Sequence, residues 1–170
     1  MTPVECSQVE VYVFRRRARR VELLLLRRAL ERTLPGIWQP ITGGIERGER
    51  AYVAAAREVF EETALTPRRW WALSHLTSFY DPSSDSIRMV PAFAAEVAST
   101  DSVQLSEEHD RGGFVSPTVA AKRVLWDTQR LTIAALRREV LRGGAHAEAR
   151  EVTARILTAH PRSARARSPR

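Results

Sequence analysis

The segment from Gly43 to Pro67 constrains this chain more than any other, because its pattern fits one local conformation. Val53, Ala56, Val59 and Phe60 recur as apolar positions at helical spacing, and Ala51, Ala54, Ala55 and Ala56 favour helix, so the spacing predicts a helix over 50–63. Pro67 stops it, and Gly43-Gly44 ahead of it lets the chain turn freely. On such a helix Glu58, Glu61 and Glu62 fall within an arc of about 100°. Like charges so placed repel by a few tenths of a kcal/mol per pair in water, about that or more when desolvated. A hard divalent cation removes the repulsion, and carboxylate oxygens are the ligands Mg²⁺ prefers. Taken alone, the triplet is equally the solvated face of an acidic helix. Arg57, four residues before Glu61, can pair with it or with Glu49 and so hold a carboxylate in one orientation.

Around this helix the pattern alternates between strand and helix. Gln8 to Phe14, with Val9, Val11 and Val13, and the apolar run Val21 to Leu26 read as strands, with Arg15 to Arg20 as an exposed basic hairpin turn. A loop holding Pro35 and Gly36 leads to Trp38–Thr42. Trp70–Tyr80 and Met89–Val97 read as longer strands across the polar turn Asp81–Ser86. Val103–Leu105 and Gly113–Val115 read as short strands flanking Glu107-Glu108, and Ser116-Pro117 as the cap and first position of a helix. Trp126–Leu141 is an amphipathic helix ended by Gly143-Gly144, and a last helix spans about 147–157. Residues 159–170 form a basic tail with too little apolar content to pack, which is expected to be disordered. Strands interleaved with helices indicate one mixed α/β domain over 1–158.

Gly43, Glu49, Arg57-Glu58, Val59, Glu61-Glu62 and Leu65 stand at the spacings of G-x5-E-x7-R-E-U-x-E-E-x-G-U, with U aliphatic, and eight of the nine specified positions match. The chain thus resembles the Nudix hydrolases. That resemblance implies an α/β/α sandwich around a mixed β-sheet, with the signature as its loop-helix-loop. It also implies Mg²⁺-dependent hydrolysis of a diphosphate linkage in a nucleoside triphosphate or related nucleotide-like substrate by a metal-activated water, with Mn²⁺ able to substitute. Carried over residue by residue, Glu58, Glu61 and Glu62 would be metal ligands, the carbonyl of Gly43 a further ligand, Glu49 an outer or additional carboxylate, and Arg57 the group that orients them. The one departure is Ala64 where the signature has glycine. That position ends the helix, often in a left-handed conformation that costs a residue with a Cβ about 1–2 kcal/mol, so local geometry and stability are expected to suffer rather than chemistry.

A second set of residues, Trp38-Gln39, Thr42-Gly43, Pro91-Ala92-Phe93, Ser106-Glu107-Glu108-His109 and Phe114, is similar to the branch with bacterial dihydroneopterin triphosphate and dATP pyrophosphohydrolases. There the glutamate just before a histidine completes the site, which implies Glu108 as a further metal and catalytic carboxylate. His109 is either a base or only the neighbour of Glu108. For substrate, Arg27 or Arg28 is a candidate bidentate phosphate donor, and Trp38, Phe79 and Tyr80 are candidates to stack on a ring, although a solvated arginine and core aromatics fit these positions as well.

Charge points elsewhere at first. The net charge is +7, the footprint of a nucleic-acid binder, but Arg162, Arg165, Arg167 and Arg170 lie in the last ten residues, and the other 160 carry only +3. Nucleic acid is therefore not expected as the main partner. The rival from another class is a non-catalytic module that binds a nucleotide or RNA. Degenerate box carboxylates would mark it, and none is degenerate. Dinucleoside polyphosphates, oxidised nucleotides and nucleotide sugars are alternative substrates. Cys6 is the only cysteine, which fits a reducing, cytoplasmic setting, and no apolar run is long enough to suggest export or a membrane span. Oligomeric state is not legible.

Overall fold

The computed structural model describes residues 1–159. Within them, eight strands form one mixed sheet with helices on both faces, the α/β/α arrangement that the family resemblance implies. The strands are β1 (Val4–Glu5), β2 (Gln8–Arg17), β3 (Arg20–Arg28), β4 (Trp38–Gln39), β5 (Ile41–Gly44), β6 (Arg69–Asp81), β7 (Ser86–Val97) and β8 (His109–Val115). The helices are α1 (Ala51–Thr63), α2 (Pro117–Arg123), α3 (Asp127–Leu136), α4 (Ala145–Arg150) and α5 (Thr153–Ala159), with a π-helical turn over Arg137–Leu141 continuing α3. No helix among the described residues is long and apolar enough to cross a membrane.

The sheet is organised around β2. It runs parallel to β7 on one side, and two antiparallel partners share its other side, β5 along Gln8–Val11 and β3 along Phe14–Arg17. Period-two alternation sends Val9, Val11 and Val13 into the core under α1 and α5, and Tyr12 and Phe14 into the core under α2 and α3. The unbroken run Leu23–Leu26 divides in the same way between the two cores, which is why β3 reads as continuously apolar. Trp70 and Trp71, neighbours in β6, likewise enter opposite cores.

Three expectations change. The basic hairpin turn shrinks to Ala18-Arg19, because β2 and β3 stay paired as far as Arg17 opposite Arg20. Val103–Leu105 is a loop: the backbone N–H of Gln104 donates to the carbonyl of Thr63, and that of Ser106 to the carbonyl of Glu62. These groups close the end of α1 instead of joining a ladder. The last helix is two short ones, broken where the backbone N–H of Val152 donates to the carbonyl of Trp70. α5 is described as far as Ala159, and the rest of the expected tail lies outside the described residues.

Ser116 caps α2, its hydroxyl accepting from the N–H of Val119, with Pro117 first in the helix. At the end of α1, Ala64 is left-handed at φ 55°, its N–H donating to the carbonyl of Phe60. The signature glycine position therefore keeps its backbone shape and bears the Cβ strain. We expect Ala64→Gly to stabilise the fold by about 0.5–1 kcal/mol, the relief of strain exceeding the entropy that glycine adds to the unfolded chain, as read by urea denaturation.

Candidate active site

A helix buries one stripe, and in α1 the stripe holds acids. Ala55, Val59 and Glu62 are buried with Glu58 beside them, whereas Phe60, expected on the apolar face, is 57% exposed. The expected phase was set by apolar residues alone; the helix is turned so that Glu58 and Glu62 point inward and Phe60 out. Side-chain exposure is 13% for Glu58 and 5% for Glu62, against 55% for Glu61.

Arg57 ties this helix to the loop before it. Its Nε and Nη2 donate to the two oxygens of Glu49 at 3.0 and 2.9 Å, and Nη2 also donates to the carbonyl of Gly44 at 2.8 Å. Nη1 donates to Glu58 at 2.8 Å and to Glu61 at 3.0 Å. One guanidinium thus holds three of the expected ligand carboxylates, and they in turn keep it firmly protonated. The backbone N–H of Glu46 fixes Glu49 from the other side.

Gly43 admits Glu58. A Cβ on Gly43 would fall 1.9 Å from Cδ of Glu58, so the carboxyl lies directly on the glycine backbone, a close approach that only glycine permits. Glu108 stands on the loop that closes α1, its carbonyl accepting from the N–H of Ala29, and its charge reaches both Glu58 and Glu62.

Glu62 is the most perturbed acid of the group. Burial, then repulsion from Glu58 and Glu108, pushes its carboxyl up to about 9, against the opposing pull of Arg28. Its Oε2 is buried with no hydrogen-bond partner. Burial also raises Glu58, with Arg57 working the other way. His109 is buried too, its Nδ1 3.7 Å from Oε2 of Glu62 and both ring nitrogens without partners. Burial lowers its pKa and so favours the neutral ring. It faces Glu62 as well as following Glu108 in sequence.

Among the described residues no three acidic or histidine side chains close into a ready metal cage. Glu49, Glu58 and Glu61 converge on Arg57 instead, and Glu62 and Glu108 flank them. The donor set nonetheless suits a hard cation: carboxylate oxygens, a backbone carbonyl at Gly43, and a buried oxygen on Glu62 that lacks a partner.

The candidate substrate residues lie in different places. Arg27 commits its guanidinium to both oxygens of Asp110. Trp38 packs on the α2 and α3 side under Arg123, whose Cζ is 5.2 Å from the ring centre. Tyr80 lines a cavity of about 750 Å³ next to β5, together with Phe79, Trp126, Gln39, Thr42 and Glu10. Trp126 and Glu10 were not foreseen. The trace of Glu10 in the sequence is an acid between two valines of a strand.

With the geometry established, comparison with known proteins places it. The NUDIX domain profile matches residues 7–141, so the chain belongs to the Nudix family. An octanoyltransferase of Myxococcus xanthus is 32% identical over 132 residues, which are 77% of this chain and 36% of that protein. The chain therefore spans only about a third of that relative's length. An asymmetrical bis(5'-nucleosyl)-tetraphosphatase of Caenorhabditis elegans is 32% identical over 57% of this chain and 69% of its own. Among solved structures, a NUDIX hydrolase of Listeria monocytogenes aligns with a TM-score of 0.70 at 24% identity, covering 81% of this chain and 96% of that one. The dihydroneopterin triphosphate pyrophosphohydrolase of E. coli aligns at 0.65 and 20% identity, covering 84% and 100%. At these identities the structures show the fold.

Because the folded pKa of Glu62 is raised, its protonated form favours folding below its unfolded value, and that contribution is lost as pH climbs toward about 9. Thermal denaturation in chelator should show the wild type losing stability between about pH 5 and 9, with Glu62→Gln flattening the profile. Parallel profiles would show that Glu62 is not perturbed.

Proposed function

We propose that this chain hydrolyses a phosphoric anhydride bond in a nucleoside triphosphate or similar nucleotide-like substrate, as a Mg²⁺-dependent pyrophosphohydrolase. The observation that carries this reading is the inward acid stripe of α1: Glu62, buried and partnerless at Oε2, beside Glu58 lying on Gly43. Isolated buried carboxylates destabilise a fold, so such a pair makes sense where a cation is to be held. Glu58, Glu61, Glu62 and the carbonyl of Gly43 would hold it, with Glu49 and Glu108 completing the set. When bound, Mg²⁺ or Mn²⁺ lowers the pKa of a water and offsets charge on the bridging phosphates.

The chain's own residues orient and accept. Arg57 holds Glu49, Glu58 and Glu61 on one guanidinium, which keeps the loop and helix carboxylates close together ahead of the cation. A carboxylate of this set takes the proton of the attacking water. Among the relatives, a tetraphosphatase and a triphosphate pyrophosphohydrolase, by name, support the class of bond. A small-molecule substrate follows from the same reading, and the lone cysteine Cys6 is what supports a reducing, cytoplasmic setting.

The purified chain should turn over at least one member of a panel of nucleoside triphosphates, pterin triphosphates and dinucleoside polyphosphates with Mg²⁺, and lose that turnover in chelator. Glu62→Gln should cost about 10²-fold or more in kcat while circular dichroism stays unchanged. Equal turnover by the two proteins would sink the metal-site assignment.

A further inference from the structure

Two buried side chains without partners face each other behind the acid stripe of α1. Oε2 of Glu62 accepts no hydrogen bond, and neither ring nitrogen of His109 makes one. Nδ1 of His109 stands 3.7 Å from that oxygen, beyond hydrogen-bond length by less than about 1 Å. The His109 side chain has no exposure and that of Glu62 only 5%, so bulk water does not supply the missing partners. Among the described residues His109 is the only basic side chain within 4.0 Å of the Glu62 carboxyl, the charge of Arg28 acting from farther off.

One loop brings the pair together. The backbone N–H of Ser106 donates to the carbonyl of Glu62, and that of His109 donates to the carbonyl of Ser106. His109 then opens β8 opposite Arg28, where the register between β3 and β8 shifts. The segment that grips the main chain of Glu62 therefore also sets a ring against its side chain. Filling the space does not call for this ring, since a flat apolar one would occupy it without leaving buried nitrogens unpaired, and each unpaired nitrogen destabilises the fold. Nor can the ring take the proton of an attacking water, because both nitrogens are sealed from solvent and one faces Glu62. What is left to it is a hydrogen bond to the carboxylate. Carboxylates that hold cations are themselves held by donors behind them. A carboxylate only accepts, and with no partner at Nε2 the ring proton belongs on Nδ1.

We propose that His109 is the positioning residue of Glu62, donating from Nδ1 to Oε2 and so fixing the carboxylate at the angle from which it holds a divalent cation. This deepens the hydrolase reading and rests on it at one point, that Glu62 is a cation ligand. A small turn of the carboxyl or of the ring closes the remaining gap, and the bond is charge-assisted once the carboxylate is ionised. Arg57 orients Glu49, Glu58 and Glu61 from the loop side. His109 does for Glu62 what Arg57 does for those three, from the opposite end of the stripe and from inside the fold.

The test reads cation binding first and turnover second. Mn²⁺ titrations, followed by the electron paramagnetic resonance of the free ion, are compared for the wild type, His109→Phe, His109→Gln and His109→Asn. Asparagine can place an amide N–H near the position of Nδ1, glutamine near that of Nε2, and phenylalanine fills the space with no donor. His109→Phe and His109→Gln should bind Mn²⁺ about ten-fold more weakly, and His109→Asn should recover most of that loss. On a substrate that the chain turns over, kcat should fall in the same order while KM stays within about two-fold. A ring that only fills space gives another pattern, with His109→Phe binding Mn²⁺ as the wild type does. That result would overturn the proposal, as would His109→Asn binding no better than His109→Phe. Should His109→Phe fail to fold by circular dichroism, the asparagine and glutamine variants decide the matter alone. Mn²⁺ binding that follows the expected order in a chain that hydrolyses nothing sinks the hydrolase reading only. Turnover together with Mn²⁺ affinity indifferent to these substitutions sinks this proposal only.

Discussion

Arg57 is the residue on which the geometry of the acid cluster depends. Its guanidinium joins the loop, through Glu49 and the carbonyl of Gly44, to the helix, through Glu58 and Glu61. Without that bridge three carboxylates would repel one another across a turn of helix and the loop before it. A lysine could not replace it, because a single ammonium cannot present a flat fork to Glu49 and still reach Glu58 and Glu61.

The price of the site is a helix that packs against its own apolar preference. Burying Glu58 and Glu62 turns Phe60 into solvent at 57% exposure and leaves Glu62 with a carboxyl pushed up to about 9 by burial and by Glu58 and Glu108. Elsewhere the fold offsets this. Ala54, Ala55 and Val59 are fully buried against β2, and the loop at Gln104 and Ser106 satisfies the carbonyls at the end of α1. That loop continues directly into Glu108, so the segment that seals the helix also delivers a further acid to it. Structural capping and placement of charge are here one device.

Much of this was legible in the sequence because local rules and the site agree. The spacing of Glu58, Glu61 and Glu62, the glycines ahead of them, the pairing options of Arg57 and the left-handed end at Ala64 are properties of one helix and its ends, and each follows from helical geometry. The phase of that helix did not follow, since counting apolar residues selects Phe60 over Glu62, and only the tertiary site reverses the choice. Val103–Leu105 looked like a strand by composition, but its backbone donors had a nearer use at the end of α1. Glu10 was invisible for a related reason. In Val9-Glu10-Val11 an acid between valines reads as the solvated side of a half-buried strand, yet helices cover both faces of this sheet, and the alternating position is buried as well.

That double coverage lets one pair of strands serve two purposes. Along β2 and β5 successive residues face opposite ways, so Gly43 beside Val9 meets α1 and its acids, while Thr42 beside Glu10 lines the cavity on the side of α2 and α3. A step of one residue, roughly 3.3 Å along the strand, separates the two. The acid cluster and the cavity wall are consequently held by the same ladder of backbone hydrogen bonds and cannot drift independently. Residues on the cavity side can change without touching Arg57 or the glutamates of α1. The strain of the site stays on the α1 face, where Gly43 alone gives Glu58 room to lie against the sheet.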